Sequence, residues 1–173
     1  MEKKIFSISL FVFISLSALT GCSKDNTDKS TTVQVRLTDS PLNADEVNVD
    51  IRQVRVKFSE DSTHCWADLN THAGVYNLLG LQNGVDTLLA VGVIPANVVK
   101  EIRFVLGSNN SIKVAGIIYP LTIPSGSESG LKIKVDKHLH GTLDSLIIDF
   151  DAALSILQTG NGVYHLKPVL KLK

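Results

Sequence analysis

Two cysteines in 173 residues are too few for a disulfide framework, so the fold must rest on a hydrophobic core. Net charge is missing too: 17 basic and 17 acidic side chains cancel at pH 7. Without a basic excess the chain cannot neutralise a run of phosphates, and nucleic acid is not an expected partner. Aromatic residues make up only 6%. Those beyond the N-terminal segment (Phe58, Trp66, Tyr76, Phe104, Tyr119, Phe150 and Tyr164) fall at strand positions suited to core packing, not to a sugar-stacking platform. Repeats at solenoid or propeller spacing are also lacking.

What is present begins at the N-terminus. Lys3 and Lys4 precede an uncharged, apolar stretch over residues 5–19. That is the basic and hydrophobic layout of a secretory signal, too short for a comfortable permanent span. Leu19-Thr20-Gly21-Cys22 closes it and resembles the lipobox of bacterial lipoproteins, which implies that Cys22 is lipidated and becomes the first mature residue. Residues 1–21 are then a signal peptide, 22–31 a lipidated cysteine on a polar leash, and 32–173 one domain. Several acyl chains on one cysteine hold a protein to a membrane durably. Ser23 stands where an aspartate would favour inner-membrane retention, so the expected location is the cell envelope at the outer membrane. Cys65 remains as a lone thiol, read as a half-buried strand residue.

From residue 32 onward apolar residues recur with period two, the mark of strands. Val33, Val35 and Leu37 share one face, and the run stops at Asp39-Ser40-Pro41. Val47, Val49 and Ile51 are followed by Val54, Val56 and Phe58, so the parity changes across Arg52-Gln53 and predicts a bulge or a change of sheet. Further strands are expected over 66–69, 75–81, 98–106, 111–115, 117–123, 131–135, 143–149 and 163–172. Short helical turns are expected over 85–92 and 152–157. Pro168 predicts an edge strand or a bulge. Many short strands with turn signals between them predict an all-β fold, a single antiparallel β-sandwich of Greek-key-like, immunoglobulin- or prealbumin-like form.

Asp39-Ser40-Pro41, Glu101-Ile102-Arg103, Tyr119-Pro120-Leu121, Gly130-Leu131-Lys132, Asp149-Phe150-Asp151 and Leu166-Lys167-Pro168-Val169 occur in a characteristic order. In it the chain resembles the bacterial and archaeal domain of unknown function 4382, from about residue 32 to 172. The resemblance implies an exported β-sandwich, often a lipoprotein, and brings no activity with it.

The candidate sites follow from residue chemistry. Asp149 and Asp151 alternate on a strand and share a face. With Asp39 they form the best candidate for calcium, a hard cation that takes several carboxylate oxygens, or for a carboxylate-dependent hydrolase. The competing reading has one aspartate capping a turn and another solvated. Ser125, Gly126, Ser127, Glu128 and Ser129 form a candidate recognition loop, with Gly126 and Gly130 placed where positive φ or close approach is needed. His138 and His140 would share a strand face, but spacing supplies no third zinc ligand. Catalytic residues are not expected, since no nucleophile elbow or triad is recognisable. The expected role is a non-catalytic, membrane-anchored module binding a glycan or an envelope protein. A metal-dependent hydrolase and a structural subunit of a surface assembly are the alternatives.

Overall fold

A computed structural model describes residues 30–60, 64–124 and 130–173. Fourteen strands and one short helix follow in order: β1 (Thr31–Thr38), β2 (Glu46–Lys57), β3 (Trp66–Asp68), β4 (Asn70–Thr71), β5 (Gly74–Asn77), β6 (Thr87–Ile94) and β7 (Val98–Leu106). Then come β8 (Ser111–Val114), β9 (Ile117–Thr122), β10 (Leu131–His138), β11 (Leu143–Phe150), α1 (Ala152–Ser155), β12 (Ile156–Thr159), β13 (Val163–Leu166) and β14 (Leu170–Leu172). A 3-10 turn, Leu78–Leu81, follows β5, and its Leu79 amide donates to the Asn77 side chain.

The expectation of an all-β sandwich holds. One sheet runs β14-β11-β1-β6-β4, and the larger one runs β10-β7-β2-β8-β9-β13-β12, with β3 and β5 also on β2. Between them Val33, Val35, Leu37, Leu146, Ile148 and Phe150 meet Val47, Val49, Ile51, Val54, Ile102 and Phe104 in one buried cluster. Burying each such side chain contributes about 1.5–3 kcal/mol of transfer free energy.

Three local expectations need correction. Pairing is not antiparallel throughout: β1 runs parallel to β11 and β13 parallel to β9, so both sheets are mixed. Hairpin turns impose antiparallel pairing only on neighbours in sequence, and Thr32 and Leu143 are far apart in the chain. Residues 85–92 do not form a helical turn; most of them belong to β6, which lies between β1 and β4. β-Branched Val91, Val93 and Ile94 suit that place. The 163–172 segment is two strands, β13 and β14, separated at Lys167, Pro168 and Val169 and joined to different sheets. The parity change in β2 is a true irregularity: its register against β7 shifts between Ile51 and Gln53.

Candidate functional site

The three aspartates singled out by sequence come together at one end of the five-stranded sheet. Thr38 pairs with Asp149 across β1 and β11, which brings Asp39 beside the end of β11. Asp39 is buried; its Oδ1 accepts the Ala152 amide at 3.0 Å and its Oδ2 the Gln82 side chain at 3.2 Å. Burial holds its carboxyl above the usual carboxylate range, opposed by those hydrogen bonds. Asp149 accepts the Ser40 hydroxyl on both oxygens, at 2.9 and 3.2 Å, with the Lys173 ammonium 3.6 Å away. Asp151 caps α1 by accepting the Leu154 amide at 3.1 Å, and Lys171 donates to its other oxygen at 2.7 Å. The Lys171 bond holds the Asp151 carboxyl below its ordinary range.

Each carboxylate oxygen of this cluster therefore has a partner in the fold. Asp39 and Asp151 take up amides of the first turn of α1, which would otherwise lack acceptors. The cluster is a polar knot that ties α1 to the ends of β1 and β11. Among the described residues, no three His, Cys, Asp or Glu side chains are grouped to hold a metal. Of the two histidines, His138 is the last residue of β10 and His140 lies beyond the strand. The Ser125–Ser129 loop and Cys22 lie outside the described residues. Gly130, at the end of that loop, has φ +77°, and a Cβ there would lie 2.7 Å from the Phe104 carbonyl oxygen.

A second locus was not visible in the sequence. Asn48 pairs with Asn77 of β5 and with Ser111 of β8, while Ile51 pairs with Gly74 of β5 and with Leu106 of β7. Strands β7 and β8 therefore share one edge of β2, end to end, with β5 on the other. Between them β2 has no strand partner on that edge, and residues 107–110 fill the interval. The Asp50 amide donates to Asn110 Oδ1 at 2.9 Å, and the Gly107 amide donates to the Asp50 carbonyl at 2.8 Å. Asn110 Nδ2 also donates to the Gly107 carbonyl at 2.8 Å. The fully buried Asp50 carboxylate lies under this loop, with Oδ2 accepting from Arg52 at 2.7 Å and from the Asn109 amide at 3.2 Å. Gly107 is required by close approach: a Cβ there would lie 2.1 Å from Asp50 Oδ2.

Because β7 and β8 leave β2 on the same side, the larger sheet divides into two arms. One is β7-β10 and the other β8-β9-β13-β12. A cleft of about 540 Å³ opens where they part, lined by Leu106, Gly107, Asn110, Pro120, Leu121 and Ile123. At Ile123 it meets a second hollow of about 370 Å³, walled by Leu131, Leu166 and Pro168. The lining is mostly aliphatic and contains no aromatic ring. Among the described residues Lys167 is its one ionisable group. Gly107-Ser108-Asn109-Asn110 is made of turn-forming residues; what that turn spans depends on long-range pairing.

A family model described as Domain of unknown function (DUF4382) matches residues 30–168. No curated protein and no solved structure matches the chain.

Proposed function

We propose that this chain, which belongs to the DUF4382 family, is a lipid-anchored envelope protein whose sandwich holds an extended peptide segment of a partner between the two arms of its larger sheet. The cleft carries this reading. It is open, continues into the hollow beyond Ile123 and is lined by aliphatic side chains with a few polar groups, the usual make-up of a recognition groove. A glycan fits it less well, because sugar recognition leans on exposed aromatic faces and the cleft has none. Trp66 is already occupied, lying under the Arg103 guanidinium at 4.2 Å. Lys167 at the rim suits a partner segment with an acidic residue or a free carboxylate beside its apolar part.

Anchoring rests on the sequence: the basic and apolar leader, Leu19-Thr20-Gly21-Cys22, and a following segment without apolar residues. Ser23 supports placement at the outer membrane. Catalysis is not part of the proposal. The carboxylates a hydrolase would use are engaged in holding α1 and the strand ends. Calcium finds no support in the same cluster.

The test is site-specific photocrosslinking in intact cells, with a photoreactive residue at Ile123 or Leu131 and a control at exposed Val93. Discrete protein adducts from the cleft positions, absent from the control, are expected. Adducts that are saccharide would replace the peptide reading with a glycan one. Equal labelling at all three positions would overturn the cleft as a binding site. Cys22→Ser should release the protein from the membrane fraction; retention there would overturn lipid anchoring.

A further inference from the structure

Beyond Lys113 of β8, which pairs with Glu46, the arm that ends in β12 carries no Asp, Glu, Lys or Arg. Neither residues 114–124 nor residues 152–166 include a single Asp, Glu, Lys or Arg, in a chain that is 20% charged. These stretches hold all of β9, β12 and β13. Within the arm, Tyr164 pairs with Leu121 and both are buried, so the alternate residues Val163 and His165 face outward. Leu157 lies opposite His165 on that outward face. Leu157 is 49% exposed, Val163 45% and Ile118, on β9, 66%. Soluble surfaces seldom leave such a group uncovered.

The last strand of this arm is also unpaired on one side. Among the described residues strand β12 has only β13 as a neighbour. The Lys167 amide donates to the Ser155 carbonyl at 2.8 Å, which fixes the alternation of bonds along the pair. In that alternation Leu157 bonds to His165, and the amide and carbonyl of Gln158 point away from β13. The opposite edge of the sheet is guarded. β10 carries Lys132, Lys134 and Lys137, its register breaks between Lys134 and Lys137, and Asp136 there has φ +42°. Charges and bulges of that kind prevent strand addition, and β12 has none of them.

We propose that β12 is the interface through which two copies of this chain pair, antiparallel across a two-fold axis at Gln158. A two-fold contact sets each surface against itself, so like charges across it would repel. This arm, free of charge over both stretches, is compatible with its own copy and offers a charged partner nothing to pair with. With Gln158 opposite its counterpart, Leu157 of one copy covers Thr159 of the other on the outward face, and Val163 flanks them. Such a contact closes at two copies and does not propagate into a fibre.

The experiment uses the full chain in mild detergent, followed by sedimentation. A dimer is expected at micromolar concentration. Gln158→Pro, which removes an outward-facing amide donor and no bond to β13, should weaken dimerisation at least tenfold with an unchanged far-ultraviolet spectrum. Leu157→Lys should do the same by placing like charges together. Gln158→Cys should form a disulfide-linked dimer at least tenfold faster than Val93→Cys, since facing Cα atoms in a bonded pair are within disulfide reach. A chain that stays monomeric overturns the proposal. So does a dimer indifferent to all three substitutions, or a monomer found crosslinked through residue 158 to a different protein.

Discussion

Asn110 takes the place of a missing strand beside Asp50: its side-chain oxygen accepts the Asp50 amide at 2.9 Å, where neither β7 nor β8 reaches. The same side chain donates to the Gly107 carbonyl at 2.8 Å. One amide group thus completes the backbone pairing of β2 at the point where its partners change.

Asn110→Ala should therefore destabilise the fold by about 1–3 kcal/mol, the range for leaving a buried backbone group unsatisfied. Asn109→Ala, at an exposed position whose backbone amide makes the contact to Asp50, should stay within about 0.5 kcal/mol. Urea unfolding of both variants checks this. Equal midpoints for the two would refute the role given to Asn110.

Gly107→Ala should be among the most disruptive single-methyl changes in the molecule. Its Cβ would fall 2.1 Å from Asp50 Oδ2 and 2.6 Å from Arg52 Nε, and any shift of the carboxylate would disturb its bonds to Arg52 and to the Asn109 amide. A cost above about 2 kcal/mol is expected, as for severe overpacking. Gly80→Ala meets nothing within 4 Å and serves as the control. A fully stable Gly107→Ala protein would show that the loop over Asp50 is looser than described.

Two aspartates of the α1 knot should make opposite contributions to stability as pH changes. The Asp151 carboxyl is depressed, chiefly by the Lys171 hydrogen bond. Its stabilisation is complete above the ordinary carboxylate range and fades as pH falls through the lowered value. Asp39 is raised by burial, so the folded state holds the extra proton between the ordinary and the raised value. Its contribution falls as pH rises through that window and is constant above it. Thermal melts from pH 3 to 7 should show the gap between wild type and Lys171→Met narrowing toward acid. Asp39→Asn should gain on wild type as pH rises through the Asp39 window. Parallel curves for either pair would contradict the assignment.

Calcium added to chelator-stripped protein should move the melting temperature by less than about 1 °C, since a ligand that binds only the folded state must raise it. Asp39, Asp149 and Asp151 already accept from Ala152, Gln82, Ser40, Leu154 and Lys171. A clear rise that Asp149→Asn abolishes would restore the cluster as a calcium site.

Sequence reading reached as far as local periodicity reaches. The bulge in β2 was legible because Val47, Val49 and Ile51 occupy odd positions while Val54 and Val56 occupy even ones. β6 was missed because Leu88, Leu89, Ala90 and Val91 are contiguous and do not alternate; its inner position between β1 and β4 tolerates that. The convergence of Asp39 with Asp149 came from short motifs, although the partners that occupy them did not. Asp50 illustrates the harder case. It shares the parity of Asn48, the outward one, and is buried only because residues 107–110 cross over it. The parting of the two arms is a matter of which strands share an edge of β2, and no residue pattern along β7 or β8 encodes that.

The parallel pairing of β1 with β11 also has a consequence in time. Thr32 lies opposite Leu143, and Thr38 opposite Asp149, so the five-stranded sheet cannot close until nearly the whole chain is available. Contacts so distant in sequence make folding slow, because a long loop must be ordered before any pairing rewards it. The pairing of β1 with β11 therefore belongs to the last steps by which the sheet is assembled.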